Sequence, residues 1–273
     1  DRTEQCVLAE CRLGHMGMGG VVMRGGTQDQ AHHCAVVANE MEHLGLIYKH
    51  VAGVYVTSGC DHYIAHNRIA DMPRYAVSIK SQGMDNLAHR NAVEFNDIRR
   101  ANMETSDTGA IESLGYERQP SGNVFRYNRI LDTIGLDTTA EGRFRTPHFS
   151  WGIYLDDGSS GTTVHGNIVA RTTTGGICVH GGRDNLFENN ILVDGRDRQV
   201  HLHPERDPMT GNRFVRNIVC YARPEAEIFY LFQAWKRGQQ GRFDECDHNV
   251  YWLTGGDLAT LRACTTASWR RCR

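Results

Sequence analysis

At 273 residues, 40% hydrophobic and 23% charged, the chain is long enough for one large domain or two modest ones. A net charge of −2 excludes the basic footprint of a nucleic-acid binder, and no apolar run approaches the ~20 residues of a membrane-spanning helix. Twenty-nine glycines against six prolines, outside any low-complexity tract, call for many tight turns between short strands.

The first 35 residues, with a glycine-rich stretch from Gly14 to Gly26, are expected to form an N-terminal cap or a degenerate first coil. No signal peptide precedes Asp1, so the chain is expected either to have lost one or to be a fragment. Nine cysteines at irregular intervals do not read as a disulfide framework, although Cys6 with Cys11, or Cys264 with Cys272, would close small loops.

From residue 39 onward an asparagine recurs just ahead of an aliphatic residue: Asn39/Met41, Asn67/Ile69, Asn96/Ile98, Asn128/Ile130, Asn167/Ile168, Asn190/Ile191, Asn217/Ile218 and Asn249/Val250. The intervals of 28, 29, 32, 39, 23, 27 and 32 residues fit coils of one basic length carrying loops of different size. The predicted fold is an all-β right-handed parallel β-helix, a pectate-lyase-like solenoid of about eight coils over residues 36–252, with 253–273 as a C-terminal tail or cap. The asparagines are expected to cap turns and stack as a ladder.

Behind each mark comes a second strand, beginning at Ala76, Ala110, Gly152, Gly176, Gln199 and Glu227. Set under one another, these strands alternate. Val77, Ile111, Ile153, Ile177, Val200 and Ile228 form one inward column, and Ile79, Ser113, Leu155, Val179, Leu202 and Tyr230 the next. The outward columns read Ser78, Glu112, Tyr154, Cys178, His201, Phe229 and Lys80, Leu114, Asp156, His180, His203, Leu231. An ordinary solvent-facing sheet collects Lys, Glu, Thr and Ser, whereas this face gathers three histidines, a tyrosine, a lysine and two carboxylates, which reads as a cleft.

Neighbouring coils lie ~4.8 Å apart, so carboxylates at matched positions approach the ~5 to 5.5 Å spacing of a retaining glycosidase. Asp107 and the Asp156/Asp157 pair fall on consecutive coils and are the candidate acid and nucleophile, although Asp157 also suits the start of a D-G-S-S-G turn. His180, His201 and His203 could surround a metal, but no H-E-x-x-H or similar motif supports one, and no metal is expected. Arg183, in H-G-G-R-D-N, is placed to reach a sugar or simply to pair with an acidic neighbour such as Asp184. Trp151, Tyr154, Tyr116 and Trp235 are candidate stacking platforms, and Lys80 with Arg183 would suit a lyase acting on an acidic sugar. Loops at 135–150, with Arg143, Arg145 and His148, and at 114–121 are expected to carry specificity.

Four segments carry a family resemblance: E-T-S-D-T-G-A-I from Glu104, S-G-N-V-F-R-Y-N-R-I from Ser121, G-I-Y-L-D-D-G-S-S-G-T-T-V-H-G-N from Gly152, and H-G-G-R-D-N-L-F-E-N-N-I from His180. Together they resemble the bacterial parallel β-helix proteins related to glycoside hydrolase family 141. The resemblance runs from about Asn39 to Trp252 and is most specific in G-I-Y-L-D-D-G. It implies an exported, secreted or periplasmic carbohydrate-active enzyme, of a family with α-fucosidase and xylanase members, and a catalytic aspartate pair on Asp107 and on Asp156 or Asp157. Ser106 stands where the family often has a second aspartate, and Glu112 where it often has tyrosine. Such proteins also usually carry more chain on both sides.

The expected activity is a glycoside hydrolase on a plant or algal polysaccharide or its oligosaccharides, with retention of configuration. Glu112, Tyr154, His180, Arg183, His201, His203, Lys80 and Trp151 would contact substrate. A lyase or epimerase on uronate polymers and a non-catalytic carbohydrate-binding helix are the alternatives. No cofactor is expected, with calcium left open, and no partner other than the glycan to a monomeric chain.

Overall fold

The computed structural model describes residues 3–26, 30–205, 207–231, 233–234 and 239–255. Expectations that fall on Trp235, on Cys264 and Cys272, and on the tail from residue 256 lie outside these residues. Three long parallel sheets account for nearly all the strands: two of nine strands and one of eight. The first runs from Val7–Ala9 to Glu245–Asp247, the second from Arg12–Gly14 to Val250–Leu253, and the third from Val21–Arg24 to Glu227–Leu231. Each turn of the chain adds one strand to every sheet in turn, which is the course of a parallel β-helix. Nine turns contribute to the first two sheets. Residues 7–24, within the stretch expected to cap the helix, place a strand at the end of each sheet. No helix among the described residues is long and apolar enough to cross a membrane.

The strands of the first two sheets are mostly three residues long, and only the middle residue faces inward. Val36, Ile64, Val93, Phe125, Val164, Phe187 and Phe214 stack in one such column, and Met41, Ile69, Ile98, Ile130, Val169, Leu192 and Val219 in the other, all at most 2% exposed. Between the two sheets the chain bends through one residue with positive φ followed by the repeated asparagine, as at His66–Asn67, Phe95–Asn96 and Tyr127–Asn128. Such φ values strain bulky side chains, so each bend must be held by bonds of its own.

The asparagine ladder supplies them. Asn96 N–H donates to Asn128 Oδ1 at 3.1 Å, and Asn128 N–H to Asn167 Oδ1 at 2.9 Å. The same pattern runs from Cys11 N–H, which donates to Asn39, to Asn217 N–H, which donates to Asn249. Each side-chain amide also reaches a strand carbonyl of an earlier coil, Asn128 Nδ2 donating to Val93 O at 2.9 Å. Asn128→Ala is therefore expected to leave the buried Asn96 N–H without a partner and to remove the second bond to the Val93 carbonyl, at a cost of about 2–4 kcal/mol in urea unfolding. A loss below ~1 kcal/mol would show that the ladder is dispensable. A second ladder, at the bend before the first sheet, had not been anticipated: Cys34 N–H donates to His62 Nδ1, His62 N–H to Asn91, Asn91 N–H to Asn123, and farther along Thr162 N–H to Asn185 and Asn185 N–H to Asn212. Its sequence signal is an asparagine two residues ahead of Val93, Phe125, Phe187 and Phe214.

In the third sheet the register is that of the aligned segments from Ala76 to Gln199: Ser78, Glu112, Tyr154, Cys178 and His201 are successive neighbours, as are His180 and His203. The last strand departs by one residue. Val200 pairs with Phe229, His201 with Tyr230 and Leu202 with Leu231, so Tyr230 lies in the outward column where Phe229 was expected. The cause is the bend into this sheet, where two consecutive residues face the core, as Ala76 with Val77 and Ala110 with Ile111 do. A strict period of two cannot place the start of such a strand. Cys6 and Cys11 are free thiols, each donating to a carbonyl two residues back.

Candidate active site

The outward face of the third sheet is closed in rather than solvent-facing. Ser78, Glu112, Tyr154, Cys178 and His201 are each at most 5% exposed. Two loops lie against it at Tyr154 and Trp151, joined to each other through the backbone: Gly135 N–H donates to Asn102 O, Leu136 N–H to Thr105 O, and Asp107 N–H to Phe149 O. The 135–150 loop was expected to carry specificity, and it forms a small hairpin, Asp137–Thr138 with Phe144–Arg145, before returning to the sheet at Phe149.

Asp107 sits on the turn just ahead of the strand Thr108–Gly115, at a φ of +53°. Arg74, from the preceding coil, holds that turn by donating to the carbonyls of Ser106 at 3.0 Å and Asp107 at 2.8 Å. The Tyr154 hydroxyl donates to Asp107 Oδ1 at 3.4 Å. It also lies close enough to Asp156, two residues along the same strand, to favour the ionised form of that carboxyl, so both carboxyls flank one hydroxyl.

Asp156 ends the strand Ser150–Asp156, and its Oδ1 accepts from His180 Nδ1 at 2.9 Å and from Asp157 N–H at 2.9 Å. Asp157 does turn the chain, as a D-G start suggests. Its φ of +42° brings its carboxylate round to the same side as Asp156, and it reaches His180 Nδ1 at 3.3 Å. Tyr116, on the neighbouring coil, lies near enough to Asp157 to favour its ionised form, against burial and the charge of Asp156, which together raise it.

The two candidate catalytic carboxyls are driven apart in acidity. Asp107 is the more open residue, yet the protein atoms crowding its carboxyl, and then the charge of Asp156, raise it above its ordinary value. Burial pushes Asp156 up, but the hydrogen bond and charge of His180, with the Tyr154 hydroxyl, more than reverse this and hold it below its ordinary value. His180 is lowered by burial and raised more strongly by Asp156, ending above its ordinary value. His180→Gln should therefore move the acidic limb of any pH–activity profile upward, because Asp156 loses the cation that keeps it ionised. An unmoved limb would show that His180 does not set the acidity of Asp156.

Several candidate contacts have other partners. Lys80 and Glu112 form a buried ion pair, with side chains 8% and 2% exposed, and Glu112 Oε2 also accepts from Gly109 N–H at 3.2 Å. Each thus has the other as its partner, and little of either side chain is open to a substrate. Trp151, at 1% exposure, lies beneath the surface, packed on Tyr154 and Cys178, so it supports the cleft and is not itself an open platform. Arg183 pairs with Asp184 at 2.8 Å on an exposed turn. The histidines do not converge on a common point: His180 stacks on His203 at 4.7 Å between ring centroids, and His203 on His201 at 5.9 Å. The groups whose ligand atoms do cluster are Asp156, Asp157 and His180, all within 4.8 Å of one another, and these would form the cation-facing side if calcium bound here. Arg74 and Phe149 escaped the sequence reading. Neither lies in a repeated column, and only the fold brings them to the carboxyls.

The family description "Right handed beta helix region" matches residues 1–219. No curated protein matches the sequence. Among solved structures, the tailspike protein of E. coli bacteriophage HK620, in complex with a pentasaccharide, is similar at a TM-score of 0.53 and 12% identity over 92% of this chain. The catalytic domain of a family 87 glycoside hydrolase, an α-1,3-glucanase in complex with nigerose, is similar at a TM-score of 0.44 and 11% identity, again over 92%. This chain spans 43% of the tailspike and 50% of the glucanase chain. With the family match covering most of its length and three parallel sheets coiled about one core, the chain belongs to the right-handed β-helix family.

Proposed function

We propose that the chain is a glycoside hydrolase in which Asp107 is the general acid and Asp156 the ionised partner. One observation carries this reading: a single hydroxyl, Tyr154, stands beside two carboxyls whose surroundings push their acidities in opposite directions. Asp107 would hand its proton to the glycosidic oxygen as the bond to the anomeric carbon breaks. In the retaining form expected from the coil spacing, Asp156 attacks that carbon, and water then releases the sugar with Asp107 acting as base. The tailspike of like fold is in complex with a pentasaccharide, which agrees with a glycan as ligand, and the family 141 resemblance points to plant or algal polysaccharides.

The lyase reading needs an available base and a neutralising cation. Lys80 is held by Glu112, and Arg183 by Asp184, which argues against that role for either. Ser106, where an aspartate is often found, presents its carbonyl to Arg74, so the proposed pair does not call on its side chain. The test is a screen of aryl glycosides and polysaccharides, with the anomeric form of the first product followed by NMR. Release of unsaturated, ultraviolet-absorbing products would replace hydrolysis by elimination, and binding without turnover on any substrate would leave a carbohydrate-binding helix.

A further inference from the structure

Four rings run along the helix axis from the carboxyl pair toward the C-terminal coils. Trp151 lies over Gly175, its partner on the next coil, and against Cys178; its ring packs on Tyr154 of its own strand at 4.6 Å and on His201 at 5.9 Å, and His201 on Tyr230 at 4.8 Å. The strip crosses three coil steps, ~14 Å at the strand spacing, enough for more than one pyranose ring. Phe149 stands on Trp151 at 4.5 Å and is 39% exposed, at a φ of +39° that an aromatic residue rarely adopts. His203 flanks His201, and Tyr230 is half-buried at the far end.

Beneath this surface two polar side chains lack partners. Among the described residues, Trp151 Nε1 and both ring nitrogens of His201 make no hydrogen bond, though the two residues are 1% and 5% exposed. Buried donors and acceptors are nearly always satisfied, so three nitrogens without a protein partner on one short strip set this layer apart from the rest of the core. Burial, with Arg198 and the other histidines nearby, lowers His201 to about 3, so its ring is neutral and can donate from one nitrogen while accepting at the other.

We propose that Phe149, His203 and Tyr230, over Trp151 and His201, form a tract of glycan subsites that holds further sugar residues along the helix axis on the C-terminal side of the carboxyl pair. The exposed aromatic faces take the apolar faces of the sugars, and the buried indole and imidazole support those faces from below. This rests on the hydrolase reading and adds the direction in which the chain is held and a requirement for length.

The test uses the full chain with Asp156→Asn, to prevent turnover, on a printed array of plant, algal and bacterial oligosaccharides graded from disaccharides upward. The parent should retain the longer oligosaccharides better than the shorter. Tyr230→Ala, at the far end of the tract, should weaken the longer ones about ten-fold and disaccharides far less, since it lies three coil steps from the carboxyl pair. His203→Ala is a second variant on the same tract, with the same result expected. Unchanged retention, or equal loss for short and long ligands, overturns the tract while the hydrolase reading stands. Retention of no glycan by the parent, with no turnover by wild type, removes that reading and the tract with it.

Discussion

Asp156→Asn should lower kcat/KM on the glycan substrate by about a thousand-fold or more, and Asp107→Asn by a comparable factor on substrates with poor leaving groups. The two variants should differ in rescue. An aryl glycoside whose leaving group needs no proton should recover much of kcat/KM, which reports the bond-breaking step, in Asp107→Asn and none in Asp156→Asn, while kcat in Asp107→Asn stays low because the base for the second step is gone. The pH profile follows from the directions of the two shifts. Activity needs Asp156 ionised and Asp107 protonated, so it rises as pH climbs through the lowered Asp156 value and falls as pH climbs through the raised Asp107 value. Asp107→Asn should remove the alkaline limb. Full activity in either variant would end the assignment.

The second large effect concerns stability. Lys80→Met should cost about 3–5 kcal/mol in urea unfolding, because it leaves the Glu112 carboxylate buried without its counterion. Lys80→Met combined with Glu112→Gln should recover most of that loss, since an uncharged amide can still accept from the Gly109 N–H. In the single variant Glu112 has a folded-state pKa raised above its unfolded one. Such a group is tolerated while protonated and its contribution is lost as pH rises, so the deficit should shrink at acid pH and grow toward neutral. A loss below ~1 kcal/mol, independent of pH, would mean that the pair is solvated rather than buried.

The ion pair also shows why the outward columns could be aligned but not interpreted from the sequence. Ser78, Glu112 and Tyr154 in one column, and Lys80, Leu114 and Asp156 in the next, stack as the repeat implies. Whether Glu112 meets a substrate or meets Lys80 depends on which outward side chains the loops bury. The 101–107 and 133–149 loops carry no repeat, and their mutual hydrogen bonds join residues about thirty apart or more. The same loops place Phe149 over Trp151 and Arg74 against the Asp107 turn. Asp157 is a related case. Alternation along a strand would turn it away from Asp156, and a positive φ, visible only in the folded backbone, turns it back.

What the amino-acid order determined by itself is whatever repeats: the asparagines at the bends, the single inward aliphatic of each short strand, and the register of the third sheet from Ala76 to His203. Each of these is set by neighbours one coil away making the same contact again, so one pattern read many times is enough. Tertiary structure alone decided what occurs once. It buried Lys80 with Glu112, slipped Glu227–Leu231 by a residue at a bend, and closed two loops over a face that the columns presented as open. It also brought Tyr154 between Asp107 and Asp156 and gave them opposite acidities, because desolvation and charge depend on distances through space that no spacing along the chain encodes.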